Sequence, residues 1–262
     1  MIVSVAKELS HLRLICVNRP GRGGTSPASK GNSHLDVSVQ DAVAVLDSLG
    51  IDKVSLLCMC AGAPFCMAFA LQHKERTSGN FMGISSWVQP ADCGYENTTV
   101  THYLGTLMPI LVSPLVGSVM SSIGSSLSSF PTTWVLSALR GKVSKTEHEA
   151  FDIKYENGKD FSEMMTWMQQ ERGGQGKDVE VLLSAGLIDY QNLGKSLQSI
   201  TLWHGTKDTM VPYAAAQWLE EHIAGAMLNT IPDGSHEGCM FLLHSSIVDS
   251  LKSFGQDTSD DK

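Results

Sequence analysis

Short apolar runs that alternate with helix-spaced apolar residues are the feature that most constrains this chain. Leu12–Val17, Val54–Cys58, Phe81–Trp87, Ile200–His204 and Met227–Ile231 read as strands. Between them, Leu35, Val39, Ala42, Val43, Leu46 and Leu49 recur at three- and four-residue spacing, with Gly50 placed to end that helix. Gly62 to Gln72 is small and apolar and reads as a buried helix. Tyr213–Ile223 and Cys239–Phe254 complete the helical set. Strands alternating with helices predict an α/β class with a mainly parallel sheet and flanking helices.

The alternation is lost between about Gly94 and Leu193, where the text turns Ser-, Met- and Gly-rich. The expected organisation is a core of residues 1–93 and 194–256 and an insertion over 94–193. A polar, acidic tail over 257–262 reads as disordered. Ile2–Leu9 reads as a helix preceding the first strand. A chain of 262 residues suffices for one such domain and is too short for two. Tyr103 to Leu139 holds no Asp, Glu, Lys or Arg, but Pro109, Pro114, Pro131 and three glycines interrupt it, so no stable membrane span is expected. A net charge of -8 without a Lys/Arg-rich run argues against nucleic acid. Six cysteines without a Cys-x-x-Cys pair or zinc-site spacing read as reduced thiols in a cytoplasmic protein. The N-terminus lacks the pattern of a secretory signal.

Three loops follow predicted strands and carry reactive side chains. The first is Cys58-Met59-Cys60-Ala61-Gly62-Ala63, which places Cys60 at a strand-to-helix turn flanked by small residues. A thiolate there is a strong nucleophile, helped by an imidazolium or a helix N-terminus. A buried core cysteine is the competing reading. The second is His204-Gly205-Thr206-Lys207-Asp208-Thr209-Met210-Val211-Pro212, in which Asp208 either orients a base or caps the next helix. The third is Pro232-Asp233-Gly234-Ser235-His236, with a histidine in a Gly-rich loop. The order Cys, Asp, His, each at the C-terminal end of a predicted strand, lets the three converge. Asp92 competes with Asp208 because it follows the strand at Phe81–Trp87; Asp189 and Asp233 are weaker contenders.

With these blocks in order, and the Arg19-Pro20-Gly21-Arg22-Gly23 loop ahead of them, the chain resembles the α/β-hydrolase superfamily from about residue 10 to 254. The resemblance implies Cys60 as nucleophile, Asp208 as acid, His236 as base and the Ala61 N–H as an oxyanion donor. A cysteine at this place resembles dienelactone hydrolases. The 94–193 insertion matches the family's cap; Leu107, Leu111, Met165 and Met168, with Ile110, Leu115 and Met164, are its pocket-facing candidates, beside Met59 of the elbow. The family pattern has glycine where Cys58 stands. It also has about three strands ahead of Leu12–Val17, and a further strand between Leu12–Val17 and Val54–Cys58 whose loop supplies a second oxyanion donor. Those strands are expected to be missing here. A sheet so shortened is expected to fold marginally unless its strands close up or a second copy completes it as a homodimer.

The activity this implies is hydrolysis or acyl transfer on a small apolar ester, lactone or thioester through an acyl-cysteine, with a small-molecule substrate as partner and no cofactor or metal. Two alternatives stand beside it: lyase, cyclase or isomerase chemistry on a small metabolite, and a ligand-binding pseudoenzyme lacking a full oxyanion hole.

Overall fold

The computed structural model describes residues 9, 12–94, 174–236, 238–239 and 245–253. Four strands form one parallel sheet in the order β1 (Val54–Met59), β2 (Thr77–Ile84), β3 (Ser199–Gly205) and β4 (Ala226–Ile231). Every strand therefore ends at the same edge, where the loops after Met59, Ile84, Gly205 and Ile231 meet. Among the described residues, β2 and β3 are the strands paired on both sides. Their side chains accordingly read as a continuous apolar run: Phe81, Met82 and Ile84 are wholly buried, and Ile200 and Leu202 nearly so. Burial of each such side chain stabilises the fold by about 1.5–3 kcal/mol.

The two-residue period of a strand divides these side chains between two cores. Phe81, Ile200 and Leu202 meet the helices α1 (His34–Ser48), α2 (Ala63–Gln72), α5 (Tyr190–Ser196) and α6 (Tyr213–His222) on one face. Met82, Ile84 and Trp203 meet Ile247, Val248 and Leu251 of α7 (Ser245–Ser253) on the other. A short α3 (Pro90–Cys93) and α4 (Gly174–Leu183) complete the helices used below. α1 starts at Ser33, whose hydroxyl caps the Asp36 N–H, and stops at Gly50, which takes the left-handed conformation (φ 65°). α2 follows the turn after β1 and is apolar on nearly all sides because it is packed on nearly all sides.

Two expectations are corrected. Leu12–Val17 is not a strand: it runs irregularly, with Leu14 50% and Val17 38% exposed. Apolar residues alone do not make a strand without a neighbouring ladder, and β1 pairs with β2 alone among the described residues. The strand expected over Phe81–Trp87 begins earlier, at Thr77, and stops at Ile84, because Ser85 turns the backbone to φ 45°. Within the interval read as an insertion, Val181, Ile188, Tyr190 and Leu193 belong to the main core. Residues 95–173 lie outside the described set, and with them Leu107, Ile110, Leu111, Leu115, Met164, Met165 and Met168. The Ile2–Leu9 helix, apart from Leu9, and the 257–262 tail lie outside it too. No helix among the described residues is long and apolar enough to cross a membrane.

Candidate active site

The turn after β1 is sharp. Met59 is extended (φ -134°, ψ 134°), Cys60 flips to φ 46°, and Cys60–Gly62 form a single 3-10 turn that runs into α2. A left-handed conformation at a non-glycine residue costs on the order of 1–3 kcal/mol and persists only where its surroundings hold it. Here the Cys60 carbonyl accepts hydrogen bonds from the Ala63 N–H and, at 3.1 Å, from the Trp87 N–H. The side chain is left at the apex, half-buried. The Ala61 N–H lies in the first turn, where it has no intrahelical acceptor. Met59 is partly buried and packs against the core of Met82, Ile84 and Trp203.

Cys58, where glycine was expected, is buried beneath the turn. Its sulfur lies 3.9 Å from the Ser86 hydroxyl and near Cys66 of α2. Burial, then Cys66, pushes the Cys58 thiol well above its ordinary pKa, so it stays neutral. The small residue at 62 is not demanded by close packing: a Cβ on Gly62 would meet open space.

Asp208 and His236 come together because two glycine loops are laced to each other. The Thr206 N–H donates to the Ile231 carbonyl at 3.1 Å and the Lys207 N–H to the Gly234 carbonyl at 3.0 Å. The Asp233 N–H returns a bond to the Thr206 hydroxyl at 2.9 Å. Gly205 and Gly234 are so close that a Cβ on Gly205 would strike the Gly234 carbonyl. The result is a 2.7 Å contact between His236 Nδ1 and Asp208 Oδ2, with side-chain exposures of 3% and 0%. The other oxygen, Oδ1, accepts the Met210 and Val211 N–H groups at 2.9 and 2.8 Å. The local turn-capping role and the role of histidine partner are thus filled by different oxygens of one carboxylate. The Cys60 side chain lies near His236 and helps to raise its pKa. With Nδ1 on Asp208, Nε2 is the nitrogen left for the thiol.

The electrostatics follow from burial and charge. Desolvation pushes the Asp208 carboxyl up, but hydrogen bonds from His204 and His236 outweigh it and hold it well below the usual range. Burial pulls the His236 imidazole down, and its bond to Asp208 and the neighbouring Cys60 more than reverse this, raising its pKa to about 10.

The competing carboxylates are elsewhere. Asp92 binds the Gly186 N–H at 2.9 Å, Asp189 caps α5 through Asn192 at 3.0 Å, and Asp233 pairs with Lys207 at 2.7 Å. Three features were not foreseen. Ser85, next in register after the Met59–Ile84 pair, is also left-handed, and its buried hydroxyl has no hydrogen-bond partner among the described residues. His204 touches Asp208 from below. Asp178 of α4, 2% exposed, binds Arg19 at 2.8 Å, Arg22 at 3.0 Å and His34 at 2.8 Å. The only hint of these in the sequence is that each polar residue sits inside or beside an apolar run.

The fold is matched among solved structures. An esterase, RhEst1, from Rhodococcus sp. ECU1013 superposes with a TM-score of 0.61 at 15% identity, over 97% of this chain and 84% of that one. MGS-M2, an alpha/beta hydrolase enzyme from a Medee basin deep-sea metagenome library, gives 0.59 at 14% identity over 91% and 78%. The meta-cleavage product hydrolase CumD from Pseudomonas fluorescens IP01 gives 0.57 at 15% identity over 92% and 79%. The fold is that of the α/β-hydrolases. In sequence, the chain is 24% identical over 228 residues to an uncharacterized hydrolase, YcgS, of Bacillus subtilis (strain 168), covering 85% of this chain and 75% of that protein. No family model matches the chain. The apex of the sharp turn between β1 and α2 is a cysteine.

Proposed function

We propose that this chain is a thiol-dependent hydrolase or acyltransferase of the esterase and thioesterase type, acting on a small, largely apolar acyl compound. The observation that carries this is the hydrogen bond of Asp208 to a buried His236 that is raised in pKa by both Asp208 and the Cys60 of a strained turn. Its alignment with a fold whose solved members include esterases supports the same reading.

The reactive form is a Cys60 thiolate beside a His236 imidazolium, whose charge Asp208 stabilises. The sulfur bonds to the acyl carbon, and the carbonyl oxygen becomes an oxyanion held by the Ala61 N–H. The bond to the leaving alkoxide or thiolate breaks, and that group departs with the His236 Nε2 proton. Water then gives its proton to His236 and its hydroxide to the acyl carbon, expelling the acid and restoring the ion pair. Another acceptor in place of water gives acyl transfer. An apolar cap over 94–193, with Leu107, Leu111, Met165 and Met168 facing the thiol, is part of this proposal and would select substrates of variable shape.

The test is a panel of p-nitrophenyl esters and acyl thioesters of increasing chain length, assayed with the wild type and Cys60→Ala. Turnover that disappears in Cys60→Ala supports the reading; equal turnover by both rejects it.

A further inference from the structure

We propose that His204 is a positioning residue of this site, a second histidine that fixes the Asp208 carboxylate so that it faces His236. The inference rests on the functional reading above only in that it assigns His236 a chemical task. His204 is the penultimate residue of β3, with its side chain 1% exposed. Its Nε2 lies 2.8 Å from the Val211 carbonyl oxygen and 3.3 Å from Asp208 Oδ2. Both neighbours are acceptors, so Nε2 carries a proton and shares it between them. Val211 in turn donates its own N–H to Asp208 Oδ1 at 2.8 Å. His204, Val211 and Asp208 therefore close a ring of hydrogen bonds. With Met210 on Oδ1 and His236 on Oδ2, the carboxylate receives four donors, two on each oxygen. That fills its acceptor capacity. A carboxylate gripped in this way cannot rotate away from His236, and the imidazole it faces is held in one orientation.

The titratable groups around His204 are Asp208, His236 through Asp208, and Tyr213, whose ring meets the imidazole edge-on at 6.1 Å. Tyr213 is engaged with the Thr230 hydroxyl at 2.6 Å, which leaves Asp208 as the group His204 acts on.

The experiment uses the full chain labelled with nitrogen-15. The His236 Nδ1–H proton, bound to a carboxylate, gives a downfield resonance whose change of shift with pH, as Nε2 loses its proton, reports the His236 pKa. In His204→Leu that midpoint is expected to fall by about one pH unit, because the carboxylate is no longer held in line. In His204→Gln, whose amide N–H reaches the same place, it is expected to return to the wild-type value. An unchanged midpoint in a folded His204→Leu overturns the proposal. A raised midpoint also overturns it, since His204 would then compete for Asp208 rather than position it. The kcat of a thioester-cleaving wild type is expected to drop about tenfold in His204→Leu at constant KM and to recover in His204→Gln. If the wild type cleaves nothing, the functional reading fails while the resonance test still decides the role of His204. Should His204→Leu not fold, the wild-type imidazole spectrum decides: a neutral His204 protonated at Nδ1 and not at Nε2 contradicts the assignment.

Discussion

Asp208 and His236, 28 residues apart, meet at 2.7 Å through side chains that solvent scarcely reaches. Each comes from a different loop, and neither loop alone could hold the contact. The replacement Asp208→Asn keeps the shape and removes the charge, and its amide can present a donor to His236 Nδ1. We expect the rate of acyl release to fall by about 10⁴-fold with the fold intact. Steady-state kinetics of the variant, beside its thermal melt, check this; Asp92→Asn serves as the control and should keep its activity.

The same pair sets a pH window for stability. His236 has a folded pKa raised to about 10, so its contribution is complete below the unfolded value of about 6.5 and is lost as pH rises through about 10. Asp208 has a lowered folded pKa, so its contribution is complete above about 3.9 and is lost as pH falls through the folded value. The melting temperature of the wild type should therefore exceed that of His236→Gln by more at pH 6 than at pH 10. A constant difference across that range would contradict the assigned shift.

Cys60 and Cys16 offer a comparison that exposure and chemistry decide differently. Cys16 is the exposed thiol and Cys60 the half-buried one. Access alone favours alkylation of Cys16, whereas an imidazolium neighbour favours Cys60. Iodoacetamide at neutral pH, followed by peptide mapping, should label Cys60 first, with Cys58 unlabelled because burial keeps it a neutral thiol. His236→Ala should remove the preference.

Two glycines separate packing from proximity to the site. Gly205→Ala forces a Cβ into the Gly234 carbonyl and should cost about 1–3 kcal/mol and most of the activity, by parting the two loops. Gly62→Ala enters open space with an ordinary helical backbone (φ -77°, ψ -19°) and should be neutral or stabilising by about 0.4–1 kcal/mol. Chemical denaturation of both variants distinguishes them.

The Asp178 cluster is structural on the geometry, since one buried carboxylate ties Arg19 and Arg22 of one loop and His34 of α1 to α4. Asp178→Ala leaves these groups without their acceptor and should destabilise the chain by about 3–5 kcal/mol. Urea denaturation at pH 7 measures it.

These contacts also explain what the sequence could and could not convey. Buried strands such as Phe81–Ile84 and Ile200–His204 announce themselves by apolar runs, and the helix before Gly50 by its spacing and its stop. The blocks around Asp208 and His236 were legible because the loop residues flanking them, glycines above all, are few and specific. Leu12–Val17 misled because an apolar run predicts burial, while a strand also needs a partner. The end of β2 was misplaced because nothing in the text Ser85-Ser86 signals a left-handed serine. The partners of Asp178 lie 144 to 159 residues away, and the fork at His204 depends on how the loop after it curls back. Neither leaves a pattern of local spacing.

The most direct measurement is the site of acylation. An activated thioester is mixed with the wild type, quenched in acid within the first turnover, and the protein is mapped by peptide mass. The account predicts one acyl group on Cys60, formed and lost at rates that bracket product release, absent in Cys60→Ala and sharply reduced in His236→Ala. Product formed at the wild-type rate by Cys60→Ala, or an acyl group borne by a different residue, would contradict it.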